Sequence, residues 1–139
     1  MQENFKKLLM EEEGLRLKPY RCTKNKLTIG FGRNLDAKGI SVEEAKIMLE
    51  NDLKYVEEKL SKYDFWNNID KNRRDVLSNM AFQLGVEGLL QFTNFIKYIV
   101  QKDYKNASEE MLDSKWARED TPSRAKYLSK IIETGILDG

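Results

Sequence analysis

The sequence predicts an α+β, mostly α protein, with a small N-terminal β-hairpin lobe and a larger C-terminal helical lobe joined by a long helix. Three observations carry this expectation. Apolar and polar residues alternate only between Leu15 and Phe31, and helical spacing governs both flanks. A capping box, Ser41-Val-Glu-Glu44, opens a stretch with Ala45, Met48, Leu49, Leu53, Val56 and Leu60 on one stripe. A chain of 139 residues is of single-domain size. Its lobes are expected at about 14–40 and 63–139, with the connecting helix at about 41–62.

Residues 4–13 read as a short amphipathic helix, with Phe5, Leu8 and Leu9 at helical spacing and Gly14 as the stop. Leu15 and Leu17, then Leu27, Ile29 and Phe31, form a hairpin around the turn at Cys22 to Asn25, with Pro19 on an edge. If Leu27, Ile29 and Phe31 face a core, Thr28, Gly30 and Gly32 face the other way, and the glycines leave that face open to a ligand. After the long helix, the most apolar helix spans about Asp70 to Leu84, with Val76, Leu77, Met80, Ala81 and Leu84 inward and Gly85 closing it. Shorter helices follow near 87–91, from Thr93 to about Lys102 and from about Tyr104 to Asp113. A last helix opens with Thr121 as capping hydroxyl before Pro122, and Gly135 ends it.

Composition narrows the chemistry. Charged residues make up 34% and aromatics 10%, which fits a folded chain rather than a disordered one. There is no histidine and one cysteine, so Ser-His-Asp and Cys-His nucleophilic machinery is excluded, as are His-ligated metal sites and thiolate zinc clusters. No cofactor or metal is expected. The net charge is +1, and aromatics are not interleaved with the basic residues, which argues against nucleic-acid binding. The most apolar window, Phe95 to Val100, falls far short of the roughly 20 residues of a spanning helix. No signal peptide is evident, so the protein is expected in a cytoplasm, without stable membrane insertion and as a monomer. Local charge is less even. Leu15 to Leu35 holds six basic residues and no acid, just after Glu11-Glu12-Glu13. That stretch could meet an anionic polymer, or be a solvated mixed surface.

Glu13 closes the first helix. The negative end of the helix dipole and the like charges of Glu11 and Glu12 favour its protonated form, which would make it a general acid. The same three glutamates also fit a plain solvated run.

The wider pattern is more specific. Glu13-Gly-Leu-Arg-Leu-Lys-Pro-Tyr20, followed by Leu27-Thr-Ile-Gly-Phe-Gly32, resembles the active-site segment of phage-type lysozymes, the endolysins of glycoside hydrolase family twenty-four. Asn79-Met-Ala-Phe-Gln-Leu-Gly85, Gly88-Leu-Leu-Gln-Phe-Thr-Asn94, Ser114-Lys-Trp116 and Thr121-Pro-Ser-Arg-Ala125 continue the resemblance in the family's order over nearly the whole chain. It implies a lysozyme-like fold and hydrolysis of the β-1,4 bond between N-acetylmuramic acid and N-acetylglucosamine in peptidoglycan. It also implies host lysis from the cytoplasm, through a pore made by a separate holin. By resemblance Glu13 is the proton donor, Thr28 holds the attacking water, and Arg124 pairs with Glu13 or orients it. Phe82, Gln83, Phe92 and Asn94 match residues along the sugar strand. Read as residues alone, Phe82 and Phe92 could equally be core aromatics, Arg124 a surface charge, and Trp116 core packing.

One position departs from the family's pattern. Nine residues after the glutamate many members carry an aspartate, and here Cys22 stands there. A thiol has a usual pKa of about 8.5, and Arg21 and Lys24 nearby would favour the thiolate. Cys22 could replace the second catalytic group or be a bystander in a turn. The first option leaves a muramidase. Loss of the carboxylate also admits a lytic transglycosylase forming 1,6-anhydro ends, or a peptidoglycan-binding domain without chemistry.

Overall fold

The computed structural model describes residues 1–137. The chain forms two compact units, Met1–Met48 and the residues from Leu49 onward.

In the first unit, α1 (Glu3–Glu13) ends at Gly14, whose N–H reaches Met10 O at 2.9 Å. Three antiparallel strands follow in the order β1 (Arg16–Arg21), β2 (Leu27–Gly30), β3 (Arg33–Asn34). Pro19 lies on the edge strand β1, inside the stretch where the register with β2 shifts; it has no N–H to give the ladder. The turn is closed by Cys22 N–H on Lys26 O and Asn25 N–H on Cys22 O, with Asn25 at φ 58°. β3 and the short α2 (Leu35–Lys38) were not anticipated. Asn34 makes that helix by accepting Ala37 N–H at 3.0 Å, a polar cap with no apolar periodicity behind it.

The expected facing of β2 is corrected. Thr28 is the one buried residue among those described in this unit, whereas Leu27 and Ile29 are half-buried and Phe31 is 43% exposed. Register explains this. Thr28 pairs across the sheet with Tyr20 and Asn34, whereas Leu27 and Ile29 pair with Arg21 and Arg33.

The capping box at the start of α3 (Val42–Leu60) forms reciprocally: Glu44 N–H donates to Ser41 Oγ at 3.1 Å, and Ser41 N–H donates to Glu44 Oε1 at 2.9 Å. Arg33 Nη1 donates to the same carboxylate oxygen. The Arg33 guanidinium and the Ser41 backbone hold the Glu44 carboxyl down at about 2. A depressed carboxyl contributes stability in full above its unfolded value and loses it as pH falls through the folded one. Fraying of the first turn of α3 is therefore expected between about pH 4.5 and 2, with a carboxyl carbon titration of Glu44 centred near 2. A midpoint near 4.5 would break the link between Arg33 and the helix start.

The second unit holds the hydrophobic core. α5 (Lys71–Leu84) supplies Val76, Leu77, Met80 and Ala81, and α9 (Pro122–Thr134) supplies Ala125, Leu128, Ile131 and Ile132. α6 (Val86–Leu90), α7 (Thr93–Val100) and α8 (Tyr104–Leu112) add Leu89, Phe95, Ile99 and Met111. A one-turn α4 (Asp64–Asn67) and a π-helical turn at Trp116–Asp120 were not expected. That turn explains a second correction. Thr121 does not cap α9 with its side chain; its hydroxyl and N–H both turn back to Trp116 O, at 3.5 and 2.9 Å.

Arg73 ties three helices. Its Nη1 meets Asp70 Oδ1 at 2.9 Å, Nε and Nη2 donate to Ile132 O and Glu133 O at 2.6 and 3.1 Å, and its guanidinium lies 3.5 Å from the centre of the Tyr104 ring. It thus caps the C-terminal end of α9, where a cation suits the helix dipole. Gly135 ends α9 at φ 74°, and a Cβ there would come within 2.9 Å of Arg73 Nη1.

Candidate active site

Glu13, Cys22 and Thr28 all lie in the first unit. Glu13 is the last residue of α1 and is exposed. Its carboxyl rests on the backbone of Gly32: a Cβ at Gly32 would sit 3.1 Å from Glu13 Cδ and closer still to Oε2. Gly32 also has φ 76°, a conformation that side chains disfavour. The positive φ itself calls for glycine here, and a Cβ would push the flexible Glu13 carboxyl aside. The alternating pattern marked Gly32 as a place of close approach, but did not identify Glu13 as the group that approaches.

Cys22 is half-buried at the start of the hairpin turn. The backbone N–H of Lys26, then that of Lys24, hold its thiol below the ordinary range; burial opposes them and the Thr28 hydroxyl adds to them. These partners are backbone groups and a hydroxyl, rather than the flanking cations. Thr28 Oγ1 also donates to Lys26 O at 2.8 Å. Arg21 meets Asp36 at 3.5 Å, and Asp36 also accepts Leu27 N–H at 2.8 Å, so the basic stretch is partly neutralised from α2.

Phe82, Gln83, Phe92, Asn94 and Arg124 all lie in the second unit. Phe82 projects from α5 and is 44% exposed, unlike a core aromatic. Phe92 is half-buried, edge-on to Phe95 at 6.5 Å and to Trp116 at 6.3 Å, so it belongs partly to the core. Phe92 and Asn94 line a cavity of about 200 Å³ with Thr93, Glu110, Asp113 and Ser114; Asn94 Nδ2 donates to Glu110 Oε1 at 3.4 Å. Trp116 is buried, as its core reading expected. Within its unit Arg124, expected to pair with Glu13 or orient it, gives Nη1 to Gln83 Oε1 at 3.0 Å. Trp116 Nε1 donates to that same oxygen, also at 3.0 Å. Trp116 was not among the expected site residues, although its place between Ser114 and Thr121 in the recurring motifs pointed to it.

The first unit offers an exposed carboxyl group, and a thiol held below its ordinary range beside a hydroxyl; the second offers a polar and aromatic surface. Residues 10–129 match a family model described as "Phage lysozyme". The chain is similar to "Probable T4-type lysozyme 1" of Dictyostelium discoideum, with 30% identity over 99% of this chain and 98% of that one. It is 28% identical to "Pre-baseplate central spike protein Gp5" of Enterobacteria phage T4, over 94% of this chain and 28% of the relative. It is likewise 28% identical to "Endolysin" of Acyrthosiphon pisum secondary endosymbiont phage 1, over 91% of this chain and 86% of the relative.

Proposed function

The chain belongs to the phage lysozyme family, and from that premise we propose the bond it cuts and the residues that cut it. It is a lysozyme-type glycosidase whose substrate is peptidoglycan. The bond is the β-1,4 linkage from N-acetylmuramic acid to N-acetylglucosamine, cleaved by water at the end of infection to lyse the host. Access to the wall from the cytoplasm is through a pore made by another protein; among the described residues no helix is long and apolar enough to cross a membrane.

Glu13 gives its proton to the leaving glycosidic oxygen. The close approach of its carboxyl to Gly32 is the observation that carries the assignment, because any side chain at that position would push the carboxyl aside. Water is held by Thr28 and loses its proton to the Cys22 thiolate as it adds to the sugar carbon. Glu13 ends as carboxylate and Cys22 as thiol, and solvent exchange restores both. Cys22 thus takes the base's place in a two-group mechanism of the inverting kind. Phe82, Phe92, Asn94 and Arg124 bind the glycan strand, with Gln83 among them holding Arg124.

Mass spectrometry of fragments from purified peptidoglycan tests the reaction. New reducing N-acetylmuramic acid ends are expected. Anhydro ends, one water lighter, would replace hydrolysis with transglycosylation, and no fragments from a folded, wall-binding protein would leave a binding domain. Cys22→Asp tests the base. An aspartate ionises near pH 4, so the acid limb of the pH profile should move to lower pH while activity is kept or raised. An unchanged profile would remove position 22 from the reaction.

A further inference from the structure

Gln83 sits in the last turn of α5, and its Oε1 is shared by two donors from other elements, the Trp116 indole and the Arg124 guanidinium. Trp116 is 3% exposed and is held edge-on by Phe92. Its ring has one orientation, and its N–H has no bulk water as a substitute partner. The oxygen that satisfies this N–H is thereby fixed in place. Arg124, in contrast, is exposed on a long flexible side chain in the first turn of α9. A cation there lies at the unfavourable end of the helix dipole, so the position does not serve helix stability.

We infer that Gln83 is a positioning residue that passes the fixed orientation of the Trp116 indole to the Arg124 guanidinium, aiming it at the glycan strand. The inference rests on the proposed peptidoglycan cleavage with Arg124 at the strand. It makes Gln83 act through Arg124 rather than by a sugar contact of its own. It also ties a core tryptophan to the reaction without substrate touching it.

A double-mutant cycle on kcat/KM for release of reducing ends from purified peptidoglycan decides the matter. Gln83→Met should lower kcat/KM about ten-fold when Arg124 is present, the scale of a lost charged hydrogen bond. In an Arg124→Ala background the same change should cost less than about two-fold, because coupled residues are not additive. Gln83→Glu, which keeps an acceptor for both donors, should recover most of the loss. Gln83→Met leaves the indole N–H without its partner. If that lowers the unfolding midpoint below the assay temperature, both halves of the cycle are run below the new midpoint, with Gln83→Glu, which keeps the acceptor, as the folded reference. Equal losses with and without Arg124 would overturn the inference, since a purely structural or sugar-binding Gln83 would give additivity. A wild-type protein that releases no sugar ends would overturn the proposed reaction instead, so the two failures are distinct.

Discussion

Glu13→Gln is expected to lower release of new reducing ends by on the order of 10²–10⁴-fold, the usual contribution of a positioned general acid. The substitution keeps the size and shape of the side chain and removes only its dissociable proton. Glu13 is exposed at a helix end, so unfolding free energy should change by no more than about 0.5 kcal/mol. The pairing of a large kinetic loss with a small stability change is the signature. A folded Glu13→Gln protein that clears cell walls like wild type would sink the assignment. Gly32→Ala gives a complementary result, because it keeps the acid but moves it. Its Cβ would collide with the Glu13 carboxyl, and the positive φ adds a backbone penalty of about 1 kcal/mol. Activity should fall here without any change in the chemical groups present.

Arg73→Met should produce the largest loss of stability, about 3 kcal/mol, with a fall in the thermal midpoint of roughly 10 °C. The side chain is only 13% exposed and has four partners: the Asp70 carboxylate, two carbonyls at the end of α9, and the face of Tyr104. Methionine preserves the aliphatic stem and loses all four interactions. The carbonyls of Ile132 and Glu133 would be left at a helix terminus without their donors. Calorimetry or denaturant titration measures the change. A loss below about 1 kcal/mol would mean that these bonds are readily exchanged for water.

Helices with a strong apolar stripe and a recognisable start were legible in the sequence. α3 is the clearest case: Ser41 and Glu44 marked its beginning, and both predicted capping bonds are present. α5, α7 and α8 likewise fall close to their expected spans. Of the shortest elements, α6 was placed near 87–91, but α2, α4 and the π-helical turn were not legible, being too short to show a period. The facing of β2 was misjudged for a different reason. Alternation identifies two faces, but which is covered depends on cross-strand neighbours, and Tyr20 and Asn34 could be assigned to Thr28 only once register was known. Thr121 fits a capping residue by type, yet its hydroxyl was drawn to Trp116 O by a turn the sequence did not announce. At the candidate site, residue types were legible by resemblance. The shared oxygen of Gln83 and the glycine beneath Glu13 were not, since both depend on contacts between residues far apart in sequence.

The division into two units also separates the chain's natural probes. Both tryptophans, Trp66 and Trp116, lie after residue 48, whereas the single thiol, Cys22, lies before it. Intrinsic tryptophan emission thus reports directly on the surroundings of the helical unit, and thiol-reagent kinetics on those of the stranded one. Glu13 belongs to the part that contains no indole. A fluorescence melt therefore does not read the neighbourhood of that carboxyl directly, and reactivity of Cys22 is the control that each Glu13 or Gly32 variant requires.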